Sequence, residues 1–157
     1  MAQSRQTILA LQQRSFDFTC GVVNAYPKTQ RLDDASRVIW HQLLKAAASA
    51  TFNLEEADAA SSGLDFIAKM RIALREAKES RVAIRVIVRC QLSGWNSVER
   101  FEDEAGQLAA IFAAIIIRKR ANMARPNEAT SRLLHLHFSF CISNFALLVF
   151  VGRLPRS

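Results

Sequence analysis

Three groups of residues in this 157-residue chain carry side chains that could do chemistry. The most extended is a row of cations, Arg71, Arg75, Lys78, Arg85 and Arg89. At ~100° per residue the five fall in a helical stripe roughly 80° wide, and at 1.5 Å of rise per residue that stripe is about 27 Å long. Positive groups in such a line can follow a phosphate backbone, and the same pattern describes a solvated helix face. Glu76 and Glu79 sit beside the row, where spacings of three and four residues allow them to pair with part of it. The second group is Asn53, Glu55, Glu56 and Asp58, near the C-terminal end of a helical segment. Carboxylates there oppose the helix dipole and need cationic partners on an adjacent helix or protomer. A solvated or salt-bridged helix end accounts for them without acid/base or metal chemistry, and His41 lies about three turns away. The third is His135-x-His137-x-x-x-Cys141, the one run with zinc-like spacing. Three ligands in a very apolar segment fall short of a structural zinc set, so no metal and no cofactor is expected.

The motifs of the common catalytic machineries are missing. There is no G-x-G-x-x-G, P-loop, H-E-x-x-H or G-x-S-x-G run, so no catalytic residue is assigned and the chain reads as non-enzymatic. Twenty-one Lys and Arg against fourteen Asp and Glu leave a charge of +7 and a pI near 10. Such a surplus suits an anionic partner, a nucleic acid backbone or an acidic lipid surface, and it also serves general solubility. Cys20, Cys90 and Cys141 are odd in number and form no C-x-x-C pair, the pattern of reduced thiols in a cytosolic compartment. Residues 1–13 hold one Arg, Arg5, and no long apolar run, so no secretory signal is expected and the cytoplasm is.

The elements that must position these residues are long. Five Gly and three Pro are too few to punctuate a many-turned β-sandwich. Breaker residues divide the chain into helical segments of about 8–26, 34–60, 62–92 and 97–123. The first stops at Pro27, with Phe16, Cys20 and Val23 on one face and Gly21 as a weak point. Asp33-Asp34 opens the second, which holds Ile39, Trp40, Leu43, Leu44 and an alanine run that lets a neighbouring helix approach. Ser62 with Asp65 caps the third, and Asn96 with Glu99 forms a capping box for the fourth. Leu108, Ile111, Phe112 and Ile115 mark the apolar face of that last segment. Short connections imply antiparallel neighbours, hence an all-α, up-down-up-down four-helix bundle over residues 8–123.

Within the third segment, Phe66, Met70, Ala73, Leu74, Ala77, Ile84 and Val88 lie opposite the cations and should face the core. Ile72, Val82, Val86 and Ile87 fit neither side. A helix of a monomeric bundle does not need so wide an apolar surface, so these four are expected to meet another copy of the chain. Deep burial of residues 82–88 within one chain is the other reading.

The run Gln42-Leu-Leu-Lys-Ala-Ala-Ala-Ser49, then Asn53-Leu-Glu-Glu56-Ala57, then Ser62-Gly-Leu-Asp65-Phe66 and Met70-Arg71-Ile72-Ala73 resembles a known family. That family is the bacterial four-helix-bundle proteins often encoded within intervening sequences of large-subunit ribosomal RNA genes. Ser49, Asn53, Glu56, Ser62, Asp65, Phe66, Ile72, Ala73 and Glu79 stand where its pattern expects them, over a span of roughly Phe16 to Met123. Ala57 replaces the usual Gly, Glu55 a usual Ala, and Ala60 an Arg of many relatives. The resemblance implies a four-helix protomer, a pentameric ring, a cytosolic location and no enzymatic activity. A related branch serves as the accessory protein of diversity-generating retroelements, which implies RNA and a reverse transcriptase as partners.

Residues 124–157 read as a linker, Arg125-Pro126-Asn127, followed by an apolar tail. Its stretch 133–151 holds no formal charge and is long enough to span a membrane, yet it contains His135, His137, Ser139, Ser143 and Asn144. A membrane anchor, an accessory element packed on the bundle and an unstructured or accidental extension all fit, and the family resemblance offers no counterpart. The chain is therefore expected to be an oligomer that binds RNA or DNA through Arg71, Arg75, Lys78, Arg85 and Arg89, with Arg118, Lys119 and Arg120 as further contacts. A protein-interaction scaffold and a tail-anchored membrane protein are the alternatives.

Overall fold

Helix caps set the boundaries of the fold. In the computed structural model, which describes residues 2–29 and 31–125, four long helices and one short one follow in order. They are α1 (Ala2–Ala25), α2 (Asp34–Asp58), α3 (Gly63–Arg89), a single turn α4 (Trp95–Val98) and, after a 3-10 turn at Glu99–Phe101, α5 (Glu102–Ala124). No strand occurs among the described residues. The described residues up to Arg120 make one compact unit; beyond it the described chain is the end of α5 and Arg125. Residues 133–151, with all three readings of that stretch and the His135, His137, Cys141 spacing, lie outside the described residues.

Asp33 is the N-cap of α2, its carboxylate accepting from the Ser36 amide at 2.8 Å and the Ser36 hydroxyl at 2.7 Å. Ser62 caps α3 by accepting from the Asp65 amide at 3.1 Å, while the Asp65 carboxylate accepts from the Ser61 amide at 3.2 Å. The expected Asn96–Glu99 box does not form. The last long helix starts instead at Glu102, and α4 begins after Gly94, which is left-handed at φ 81° and offers no side-chain cap. The Ser97 hydroxyl donates to the Ala25 carbonyl at 2.9 Å, closing the end of α1, and the Trp40 indole donates to the Ser93 carbonyl at 2.7 Å. Tertiary demands on the α3–α5 connection thus override its local capping signal.

The four long helices close a ring in which α1 and α3 each lie between α2 and α5. Arg14 on α1 holds Glu104 on α5 by two bonds, Nε–Oε1 at 2.6 Å and an Nη–Oε2 bond at 2.8 Å. Arg81 and Arg85 on α3 approach Glu102 on α5. The closest pair is α2 with α3. Its buried Ala46, Ala50 and Ala57, with Ala73, Ala77 and Ala83, remove the bulk that would hold two helix axes apart. The centre is filled by Trp40, Leu43, Met70, Ile84, Ile87, Leu108 and Phe112, each at most 1% exposed. Truncating a buried aromatic of this kind costs about 3–5 kcal/mol. Between α1 and α2, the hydroxyls of Ser15, Thr19 and Thr51 form a buried cluster at 2.8 Å spacings, so that no polar group is stranded there. Gly21 also has a tertiary reason: a Cβ at this position would stand 2.5 Å from the Phe101 ring.

The Asp33 cap makes stability depend on acidity in a defined direction. Its bond from the Ser36 amide, then that from the Ser36 hydroxyl, hold the carboxyl below its ordinary value of 3.8. The folded state therefore prefers the charged form, and the benefit is complete above the ordinary value and lost as pH falls through the folded one. Asp33→Asn keeps an accepting oxygen but cannot titrate. Thermal melts followed by circular dichroism should show the wild type losing more of its midpoint than the variant below about pH 4. Parallel curves for the two proteins would remove Asp33 as the cause.

Candidate nucleic-acid interface

The rotation of α3 about its axis decides where each cation points. Met70, Ala73, Ala77, Ser80, Ala83, Ile84 and Ile87 are buried, and Arg71, Arg75, Lys78, Arg85 and Arg89 are all exposed. Around the helix, Arg71, Lys78 and Arg89 fall within about 20° of one another, along the line farthest from the core. Arg75 lies about 40° to the α2 side of this crest and Arg85 about 40° to the α5 side.

That placement sorts the five by partner. Arg75 donates to Glu76 at 2.8 Å, and this bond raises its guanidinium above the ordinary value. Glu76 itself is 7% exposed, so Arg75 is the surface partner of a buried carboxylate. Arg85 stands 3.7 Å from Glu102 and shares it with Arg81 at 4.0 Å. Arg71, Lys78 and Arg89 have no carboxylate within ion-pair distance among the described residues. Edge positions reach the acids of neighbouring positions and helices; crest positions point into solvent and do not. Glu79, the other acid beside the row, accepts from Gln42 on α2.

The three cations at the end of α5 do not join this line as a group. Lys119 sits over the Phe66 ring, 5.1 Å from its centroid, and is half-buried. Arg118 repeats the helical position of Glu104 and Gln107, both of which bond to Arg14, so it belongs to the flank toward α1. Arg120 repeats the position of Glu102 and Gly106, on the flank toward α3. Arg81, which the stripe pattern leaves out, is exposed on that same flank, its guanidinium against Gly106. Its signal in sequence is the four-residue spacing to Arg85, with which it shares one acid.

The apolar set on α3 also separates. Ile87 is 0% exposed and part of the chain's own core, so it is corrected from an interface residue to a core residue. Val82, at 56% exposure, lies on the crest between Lys78 and Arg89, whereas Ile72 and Val86 are half-buried on the α2 side.

Two acids at the end of α2, Glu55 and Glu56, are engaged within the chain. Glu56 pairs with Lys69 on α3 and raises that ammonium above its ordinary value, and Glu55 accepts from Gln12 on α1 at 2.8 Å. The Asn53 amide donates to the Ser49 carbonyl at 2.9 Å, and no group of three metal-ligating side chains occurs among the described residues. A groove of about 550 Å³ between α1 and the start of α5 is lined by Arg14, Asp17, Phe18, Phe101 and Glu104. Its Arg14–Glu104 and Gln13–Asp17 bonds are made within the chain. No described helix is long and apolar enough to cross a membrane.

The four long helices pack as a four-helix bundle, the fold class of this chain. Residues 8–114 match the 23S rRNA-intervening sequence proteins, and the chain belongs to that family. A crystal structure of a protein of unknown function from the S23 ribosomal protein family of Bacteroides thetaiotaomicron is similar, with a TM-score of 0.58 and 25% identity. The alignment covers 68% of this chain and 97% of that one. No curated protein matches the chain.

Pairing separates two neighbouring arginines in a measurable way. Arg75→Ala leaves a buried carboxylate without its cation and should lower the thermal midpoint by a few degrees. Arg71→Ala removes a side chain with no partner and should leave the midpoint unchanged, as substitutions at such surface sites do. Equal midpoints for both variants would show that the Arg75–Glu76 pair contributes nothing to the fold.

Proposed function

We propose that this protein is a non-enzymatic, cytoplasmic, oligomeric binder of nucleic acid backbone, with the crest of α3 as its contact surface. The reading rests on one observation: Arg71, Lys78 and Arg89 are exposed, collinear and unpaired among the described residues. Cations already satisfied by carboxylates have little to gain from phosphate, whereas free ones release condensed counterions when they bind. Arg75, Arg85 and Arg120 stand at the edges as secondary contacts; Lys119 is committed to Phe66 and Arg118 to the far flank of α5. The net charge of +7 favours encounter with any polyanion. The name of the ribosomal protein family to which the similar Bacteroides protein belongs is compatible with RNA as that polyanion.

Charge reversal at the crest tests this. The triple variant Arg71→Glu, Lys78→Glu, Arg89→Glu should lose retention of structured RNA in an electrophoretic shift, with its helical spectrum unchanged. The same reversal at Arg118 should leave retention intact. A triple variant that still retards RNA as the wild type does would sink the assignment of these residues.

Self-association belongs to the same proposal, through Ile72 and Val86 on the α2 side, clear of the crest. A pentameric ring is the form that the resemblance implies. Sedimentation at micromolar protein should show a species heavier than the 17.6 kDa chain; a single species of that mass would exclude it.

A protein scaffold is the second reading, and a different surface favours it. Phe16 on α1 and Phe52 on α2 are 53% and 64% exposed, and each follows a member of the buried Ser15–Thr51 hydrogen bond. Both turn about 100° the same way out of that contact, which in an antiparallel pair brings them to one outer side. An apolar surface of this kind suits a protein such as a reverse transcriptase better than a polyanion.

A further inference from the structure

The residues around the crest narrow which form of nucleic acid it fits, and this step rests on the backbone-binding reading above. From Arg71 to Lys78 is about 10.5 Å along the axis and from Lys78 to Arg89 about 16.5 Å, in a helix whose backbone hydrogen bonding is continuous from Gly63 to Arg89. The line is therefore straight and stiff. It is also convex: α2 and α5 lie to either side, below it, and what interrupts the cations is the aliphatic Val82.

Two features of single-strand sites are missing from this surface. Proteins that hold single strands run them along a positively charged groove and stack bases on aromatic side chains. The sole aromatic of α3, Phe66, is half-buried beneath Lys119. The exposed large aromatics Phe16, Phe52 and Trp95 stand on other helices. Bidentate reading of adenine is not served either, since α3 contains no Asn and no Gln.

What remains is a row of point charges at spacings of a few base pairs, suited to phosphates already held in a regular, stiff array. We infer that the crest binds the backbone of a nucleic acid duplex, without sequence preference, and binds single strands weakly. A duplex offers phosphates at fixed intervals and at high linear charge density, so a rigid row meets them without ordering the ligand first. A single strand would have to be straightened along a ridge that gives it no stacking in return.

Fluorescence anisotropy of the full chain tests this, with a labelled 20-base-pair RNA duplex, a DNA duplex of the same sequence, and each RNA and DNA strand alone, across a salt series. Either duplex should bind at least ~10-fold tighter than its strands, as expected when base stacking contributes nothing. The slope of log affinity against log salt should be about −2.7 per chain engaged, from three free cations. Arg71→Ala and Lys78→Ala should each make it shallower by about one. Strands bound as tightly as duplexes, or tighter, would overturn the duplex assignment and leave the backbone reading standing. Binding to neither form would overturn both, and a salt slope unmoved by the crest variants would place the contact elsewhere on the molecule.

Discussion

The close antiparallel contact between α2 and α3 governs the rest of the molecule. Alanines at 46, 50 and 57 with those at 73, 77 and 83 let the two axes approach, and close approach leaves little freedom of rotation. Once Ala73, Ser80 and Ile87 are turned inward, a 3.6-residue repeat obliges Arg71, Lys78 and Arg89 to point outward. The surface charge pattern thus follows from packing on the opposite side of the same helix. A larger side chain in the alanine seam would disturb both together, because interiors are close-packed and transmit strain.

Polar groups hold the seam in register and are used up in doing so. Gln42 with Glu79 and Glu56 with Lys69 join α2 to α3 along their outer edge, and Glu76 lies buried near that edge with Arg75 over it. On the other side Glu102 receives Arg81 and Arg85. Apart from Arg75 over the buried Glu76, these exposed pairs individually contribute little stability. Their consequence for the surface is larger: they engage the edge cations of α3 and leave Arg71, Lys78 and Arg89 on its crest without a carboxylate partner among the described residues.

Much of this was legible from residue order. Asp33 and Ser62 announce helix starts because a short acceptor just before an apolar-periodic run satisfies amides that have no other partner, whatever the tertiary context. The ionic pairing of Glu56 near the end of α2 follows from the dipole it opposes. Where local rules misled, a contact distant in sequence had intervened. The Asn96 box gives way because Ser97 is drawn to Ala25 and Ser93 to Trp40. Arg118, Lys119 and Arg120 are consecutive in sequence, so a helix must spread them about 100° apart, and only the neighbours of α5 determine which flank each reaches.

The order of residues alone therefore determined four long helices, the N-caps of the second and third and a cationic stripe on the third, since these depend on interactions within a few residues. Tertiary structure decided the finer question of which charges remain unpaired. Whether Arg75 or Arg71 meets a carboxylate, and whether Ile87 or Val82 meets water, depends on how far α3 is rotated against its neighbours. Periodicity locates a stripe to within a few tens of degrees, and a rotation of that size separates a buried side chain from an exposed one.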